Sequence, residues 1–197
     1  MIKFFKQKNK QNKAFTRTLK RKHLVCGFTL VETLVAISIF TISILAIMSV
    51  LGKGMSDTNY AKKQMTATYL AQEGIEYIRN MRDTFVLSNT NSANGWNDFL
   101  NKISSCSLGI VCGFNSTVSY IDPGSIFLCT DMSLCKLYLE NGNYSINSTG
   151  TDSGFIRTIS LIPVSPDEIK IISRVEWAQV SGSHSIEFSE NLYNWIE

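Results

Sequence analysis

The sequence predicts an α+β fold: a long N-terminal helix, membrane-spanning in its first half and amphipathic in its second, packed on a small antiparallel β-sheet. Three observations carry this expectation. An apolar run from Phe28 to Leu51 holds a single charge, Glu32. A proline-free stretch from Ser56 to Phe85 is rich in Ala, Gln, Glu, Lys and Met. Downstream, short segments alternate apolar and polar residues between turn formers, most clearly at 155–162 and 168–177.

The apolar run is 24 residues long. As a helix it covers about 36 Å, enough to cross a hydrocarbon core of about 30 Å. Before it stands an arm of nine Lys and Arg residues with no acid, from Lys3 to Lys22. Only Lys53 follows closely on the far side, so the positive-inside rule predicts a cytoplasmic N-terminus and an external C-terminal portion. Without the first 27 residues, ten basic residues face 16 acidic ones, a net charge of −6 against +3 for the whole chain. The positive charge is thus a topology signal, and no nucleic-acid partner is expected.

A secretory signal would end its apolar core at a small-residue cleavage site, yet this run is too long and no A-x-A-like site closes it. A lipoprotein reading of Leu24-Val25-Cys26-Gly27 fails because the apolar region follows the cysteine instead of preceding it. What remains is cleavage between arm and run, after Gly27, with Phe28 as the new N-terminus. The stretch G-F-T-L-V-E-T-L-V-A-I from Gly27 resembles the class III signal of type IV prepilins, a family that includes the pilins and the type II secretion pseudopilins. The resemblance implies that a prepilin peptidase cuts after Gly27 and methylates the amine of Phe28, and that the exposed helices then pack into a filament core.

Glu32 raises a physical question, because a carboxylate central in a membrane helix costs about 2.5–3.5 kcal/mol and less near the interface. The bland answer is a carboxylate that snorkels to the membrane surface with no partner, and two others are open. The i, i+4 spacing places Phe28 and Glu32 on similar helix faces, so the new amine could pair within one chain. The resemblance implies instead that Glu32 meets the Phe28 amine of a neighbouring subunit and sets the axial register.

Beyond the span, Gly52 and Gly54 mark an expected bend. Ala67, Ala71, Gly74, Ile78, Met81 and Phe85 then recur at helical spacing and predict a face packed on the protein's own core. The segment A-Q-E-G-I-E-Y-I-R-N-M-R-D, Ala71 to Asp83, resembles the same helix in minor pilins of the PilV type. The polar run at 88–97 predicts a loop leaving the helix.

Expected strands are 117–121, 126–129, 136–140, 144–147, 155–162, 168–177 and 185–188. Asn141-Gly142 sits in a hairpin position, Pro163 and Pro166 confine the connection between the two longest strands, and Ile169, Ile171, Val175 and Trp177 share one face. Phe155, Arg157, Ile159, Val175 and Trp177 resemble the terminal hairpin of several minor pilins and pseudopilins, and a plain core hairpin explains them equally well. Cys106, Cys112, Cys129 and Cys135 all follow the span. Two short disulfide loops, 106 with 112 and 129 with 135, are the simplest of three pairings. A four-cysteine zinc site is the alternative, disfavoured by the spacing and by an oxidising compartment.

Catalytic chemistry is not expected. His23 lies in the leader, His184 in a Ser/Gly turn, and no Ser-His-Asp set, phosphate loop or paired-His motif occurs. Asp122, Asp131, Glu140 and Asp152 are read as surface charge, and no metal or cofactor is expected. The resulting domain plan is a cleaved leader (1–27), a membrane and filament-core helix (28–51), an amphipathic continuation (52–87) and an external sheet domain (88–197). The function implied by the resemblance is a structural subunit, a minor pilin or pseudopilin. Its expected partners are a prepilin peptidase, other pilin subunits, an assembly platform, and the inner membrane before assembly. A tip adhesin or DNA-uptake pilin whose external domain binds a ligand is the alternative.

Overall fold

The computed structural model describes residues 27–90, 92–107 and 109–195; the basic arm, with His23 and Cys26, lies outside these. The fold is α+β, a long helix and an antiparallel sheet. Helix α1 runs Leu30–Ser88 and includes Gly52 and Gly54 as helical residues. The chain divides into two units, with the boundary between Ser49 and Val50. The first unit contains the apolar start of α1, and the second contains the rest of α1 and the sheet.

There the apolar stripe of α1 is buried as its spacing predicts: Ala67, Ala71, Ile78 and Met81 are fully enclosed, and Phe85 packs against the core edge. Gly74 marks the closest approach to the sheet. A Cβ there would collide with Ser173 Oγ and lie 2.9 Å from Ile159 Cδ1, so only glycine permits this helix–sheet distance.

The sheet is built around β5 (Thr151–Ser165), which pairs with β6 (Glu168–Gln179) along nearly its whole length. β7 (Gly182–Tyr193) extends the sheet beyond β6. On its other side β5 meets β3 (Lys136–Glu140) and, further along, β1 (Cys112–Phe114). β4 (Asn143–Ser145) pairs with β3, and β2 (Ile126–Leu128) with β1. Asn141 and Gly142 take φ of 52° and 84°, the left-handed pair that a two-residue hairpin turn requires. Phe155, Arg157 and Ile159 of β5, with Ile169, Ile171, Val175 and Trp177 of β6, form the buried face toward α1.

Strand β1 is not among the expected strands, and the structure departs from the sequence expectations at four further places. The run predicted as a loop at 88–97 turns into helix α2 (Ser92–Ile103), whose Trp96, Phe99 and Ile103 are buried. Gly95 lets α2 fold back on the end of α1, since a Cβ there would lie 2.6 Å from Phe85 O. The predicted strand at 117–121 is a series of turns. Asn115 Oδ1 accepts from Thr117 N and Asp122 Oδ2 from Ser119 N, so local side-chain bonds displace a ladder. Pro163 lies within β5, paired with Ile169 beside a bulge, and does not form the connection. His184 is a strand residue on β7, stacked on Trp177 at 5.6 Å and edge-on to Tyr60 at 5.0 Å.

Cys106 is bonded to Cys112 and Cys129 to Cys135, with Cα separations of 5.5 and 5.8 Å. This pairing in twos overturns the zinc alternative. Each closes a short loop, a constraint of about 2–3 kcal/mol on the unfolded chain. Asp131 caps the turn at Ser133, Asp152 holds Lys136 at 2.6 Å, and Glu140 accepts from Thr149, so these carboxylates serve local structure.

Tyr77 of α1 stacks on Phe114 at 4.1 Å and donates its hydroxyl to Asn115 O or Ser125 O, at 3.1 and 3.2 Å. Burial first, and then the neighbouring Tyr120, push its pKa up to about 12. A raised pKa means that the neutral phenol stabilises the fold below the ordinary value of about 10 and that this contribution fades as pH rises through about 12. The urea midpoint is therefore expected to fall between pH 10 and 12, and Tyr77→Phe to flatten that fall; an unchanged slope in the variant would refute the assignment.

Candidate functional site

Among the described residues, the longest exposed apolar stretch is the start of α1 and the residues just before it. Every residue from Gly27 to Leu51 is exposed, including Phe28 at 73% and Leu30 at 79%. The helix carrying these residues is long and apolar enough to cross a membrane. So large a continuous apolar surface demands lipid or other chains around it.

Helix α1 begins with a definite signal. Thr29 Oγ1 accepts a hydrogen bond from Glu32 N at 3.2 Å, the N-cap contact of a T-x-x-E capping box. The helix thus starts at Leu30, and Gly27, Phe28 and Thr29 precede it in non-helical backbone. This changes the reading of Glu32. In the uncut chain Phe28 precedes the helix, so the i, i+4 rule alone does not put the two on one helix face. Glu32 stands in the first turn, where the helix dipole favours an anion. Among the described residues its carboxylate has no hydrogen-bond or ion-pair partner.

Four side-chain hydroxyls of this stretch bond back to their own helix. Thr33, Ser38, Thr41 and Ser43 each donate to a carbonyl three or four residues earlier, at 2.8–2.9 Å. A hydroxyl returned to its own helix can enter hydrocarbon without an orphaned donor. Glu32 is the charge left over.

In the second unit the four cysteines come together at one end of the β1–β2 pair. Cys112 lies opposite Leu128, and Cys129 N donates to Val111 O at 3.0 Å. No local sequence signal points to the link between Glu73 on α1 and Arg157 on β5. Arg157 is 3% exposed, bonds Glu73 Oε2 at 2.6 Å and lies 3.8 Å from the centre of the Phe114 ring. Burial pulls its pKa below the usual arginine value, and Glu73 opposes that shift. Thr29 was also missed, although the T-x-x-E spacing from Thr29 to Glu32 was there to find.

Residues 23–48 match the family model described as the prokaryotic N-terminal methylation motif. The match takes in Gly27, Phe28, Thr29, Glu32 and most of the exposed apolar helix. No curated protein and no solved structure matches the chain. Motif and helix together support a membrane-anchored precursor of the type IV pilin-like kind, one that a prepilin peptidase processes.

Proposed function

We propose that the chain is a structural subunit, a minor pilin or pseudopilin of the PilV type, of a type IV pilus-like filament. The observation that carries the reading is the helix start: an unpartnered apolar helix, capped at Thr29, leaves Gly27 and Phe28 exposed and unwound immediately before it. An exposed, non-helical peptide lets a peptidase reach the backbone carbonyl. Cleavage after Gly27 would turn the Phe28 amide nitrogen into an amine, the group to be methylated.

The domain plan fits this use: a leader (1–27) removed, a helix (28–51) passing from membrane to filament core, a continuation (52–87) and an external domain (88–197). The charged arm keeps the N-terminus cytoplasmic, and the two disulfides suit an external compartment. Glu32 would then find its partner in the Phe28 amine of the next subunit, which offsets the cost of a carboxylate entering an apolar core. Cysteine loops in mid-domain, together with the Ala71–Asp83 stretch, favour a minor over a major subunit.

Intact mass spectrometry after co-expression with a prepilin peptidase tests the proposal. The wild-type chain is expected at the mass starting from methylated Phe28, Gly27→Ala at the uncut mass, and Glu32→Leu cut normally yet confined to the membrane fraction. An uncut wild-type chain would sink the reading; cut Glu32→Leu recovered in sheared filaments would remove the register role alone.

A further inference from the structure

We propose that the groove between α1 and the β3–β4 hairpin is a binding site for a neutral saccharide. A cavity of about 700 Å³ opens there, with Tyr69 and Glu73 on the helix side and Asn143, Tyr144 and Ser145 on the hairpin side. A second of about 600 Å³ adjoins it, sharing Thr117, Asn143 and Ser145 and reaching Asn141, Asn147 and Glu140. Each lies within the range of about 300–1,000 Å³ usual for small-molecule sites.

The lining selects the ligand class. It holds two carboxylates, Glu73 and Glu140, and no lysine or arginine, so nucleic acids, phosphates and other anions find no cation to pair with. Most of the remaining lining residues carry an amide or a hydroxyl. Such groups both donate and accept hydrogen bonds, as sugar hydroxyls do. Tyr69 is 65% exposed and lies one helical turn from Glu73, offering an aromatic face to the apolar C–H side of a sugar ring. Tyr144 is held across the groove by an edge-on contact with Phe155, ring centres 6.1 Å apart.

Glu73 decides between a neutral and a cationic ligand. Its charge is already met from below by the buried Arg157, which also reaches Leu70 O at 3.4 Å. The carboxylate therefore faces the cavity as a fixed hydrogen-bond acceptor with little free charge for a lysine side chain. Arg157 positions it. A buried ion pair adds little to stability, so holding Glu73 at the groove wall gives this pair a purpose that folding alone does not.

The site lies wholly within the second unit, so its test does not depend on cleavage at Gly27. The full chain, in a detergent without a sugar headgroup, is applied to an array of neutral hexose and N-acetylhexosamine oligosaccharides, with heparin and a lysine-rich peptide as competing probes. Retention of at least one neutral sugar is expected, with heparin ignored. Titration of the tightest sugar is expected to show at least tenfold weaker binding for Tyr69→Ala and for Asn143→Ala, both at unchanged thermal midpoint, and near-wild-type binding for Tyr69→Phe. Three outcomes would overturn the proposal: no neutral sugar retained, sugar binding that survives both alanine substitutions, or preference for the lysine-rich peptide.

Discussion

Phe99→Ala is expected to destabilise the C-terminal unit by about 4 kcal/mol, a large part of the 5–15 kcal/mol that holds a domain together. Phe99 is fully buried, 5.6 Å from Trp96 in the same helix and within the larger hydrophobic cluster. The sequence of α2, S-A-N-G-W-N-D-F-L-N-K-I, is poor in helix formers, and so short a helix does not persist on propensity alone. Its stability is tertiary. Trp96 is anchored by its Nε1 donating to Pro166 O at 2.9 Å, so near-UV circular dichroism of Trp96 should fade with the same midpoint as the fold. A loss below about 1 kcal/mol would mean that α2 is not held by this core.

Glu73→Ala and Arg157→Met are expected to differ although they break the same pair. Removing Glu73 leaves a buried guanidinium facing a methyl group. Breaking a buried pair in this way costs about 3–5 kcal/mol, and because Glu73 is 43% exposed and water can replace part of it, about 2–3 kcal/mol is expected here. Arg157→Met keeps much of the volume against Phe114 and leaves only a half-exposed carboxylate behind, so a change within about 1.5 kcal/mol of zero is expected. Thermal unfolding of both single variants and the double variant checks this. Equal losses in the two single variants would show that the contact, and not the stranded charge, carries the energy.

What could be read from the sequence follows from how local each signal is. The apolar span, the α1 stripe through Ala67, Ile78 and Met81, and the alternation on β5 and β6 are periodic over many residues, so they survive any local uncertainty. The short-loop cysteine pairs are likewise local. Helix α2 was hidden because Asn, Ser and Gly dominate its start, while Trp96, Phe99, Leu100 and Ile103 at i, i+3, i+4 and i+7 lie toward its end. The segment 117–121 shows the opposite case, where Thr, Val and Tyr read as strand but Asn115 and Asp122 capture the backbone first. Glu73 and Arg157 are 84 residues apart, and the saccharide groove gathers α1, a turn and a hairpin. No window of sequence contains either.

The hydroxyls returned to their own helix at Thr33, Ser38, Thr41 and Ser43 bear on how such a segment changes surroundings. A helix that has settled these side-chain polar groups internally presents nearly the same outer face to acyl chains as to the side chains of other helices. Exchanging one surrounding for the other then makes or breaks few directional bonds of its own, and the free-energy difference narrows to packing and to a single ionisable group. Sorting between the two surroundings would then rest on Glu32 and on which group meets its carboxylate.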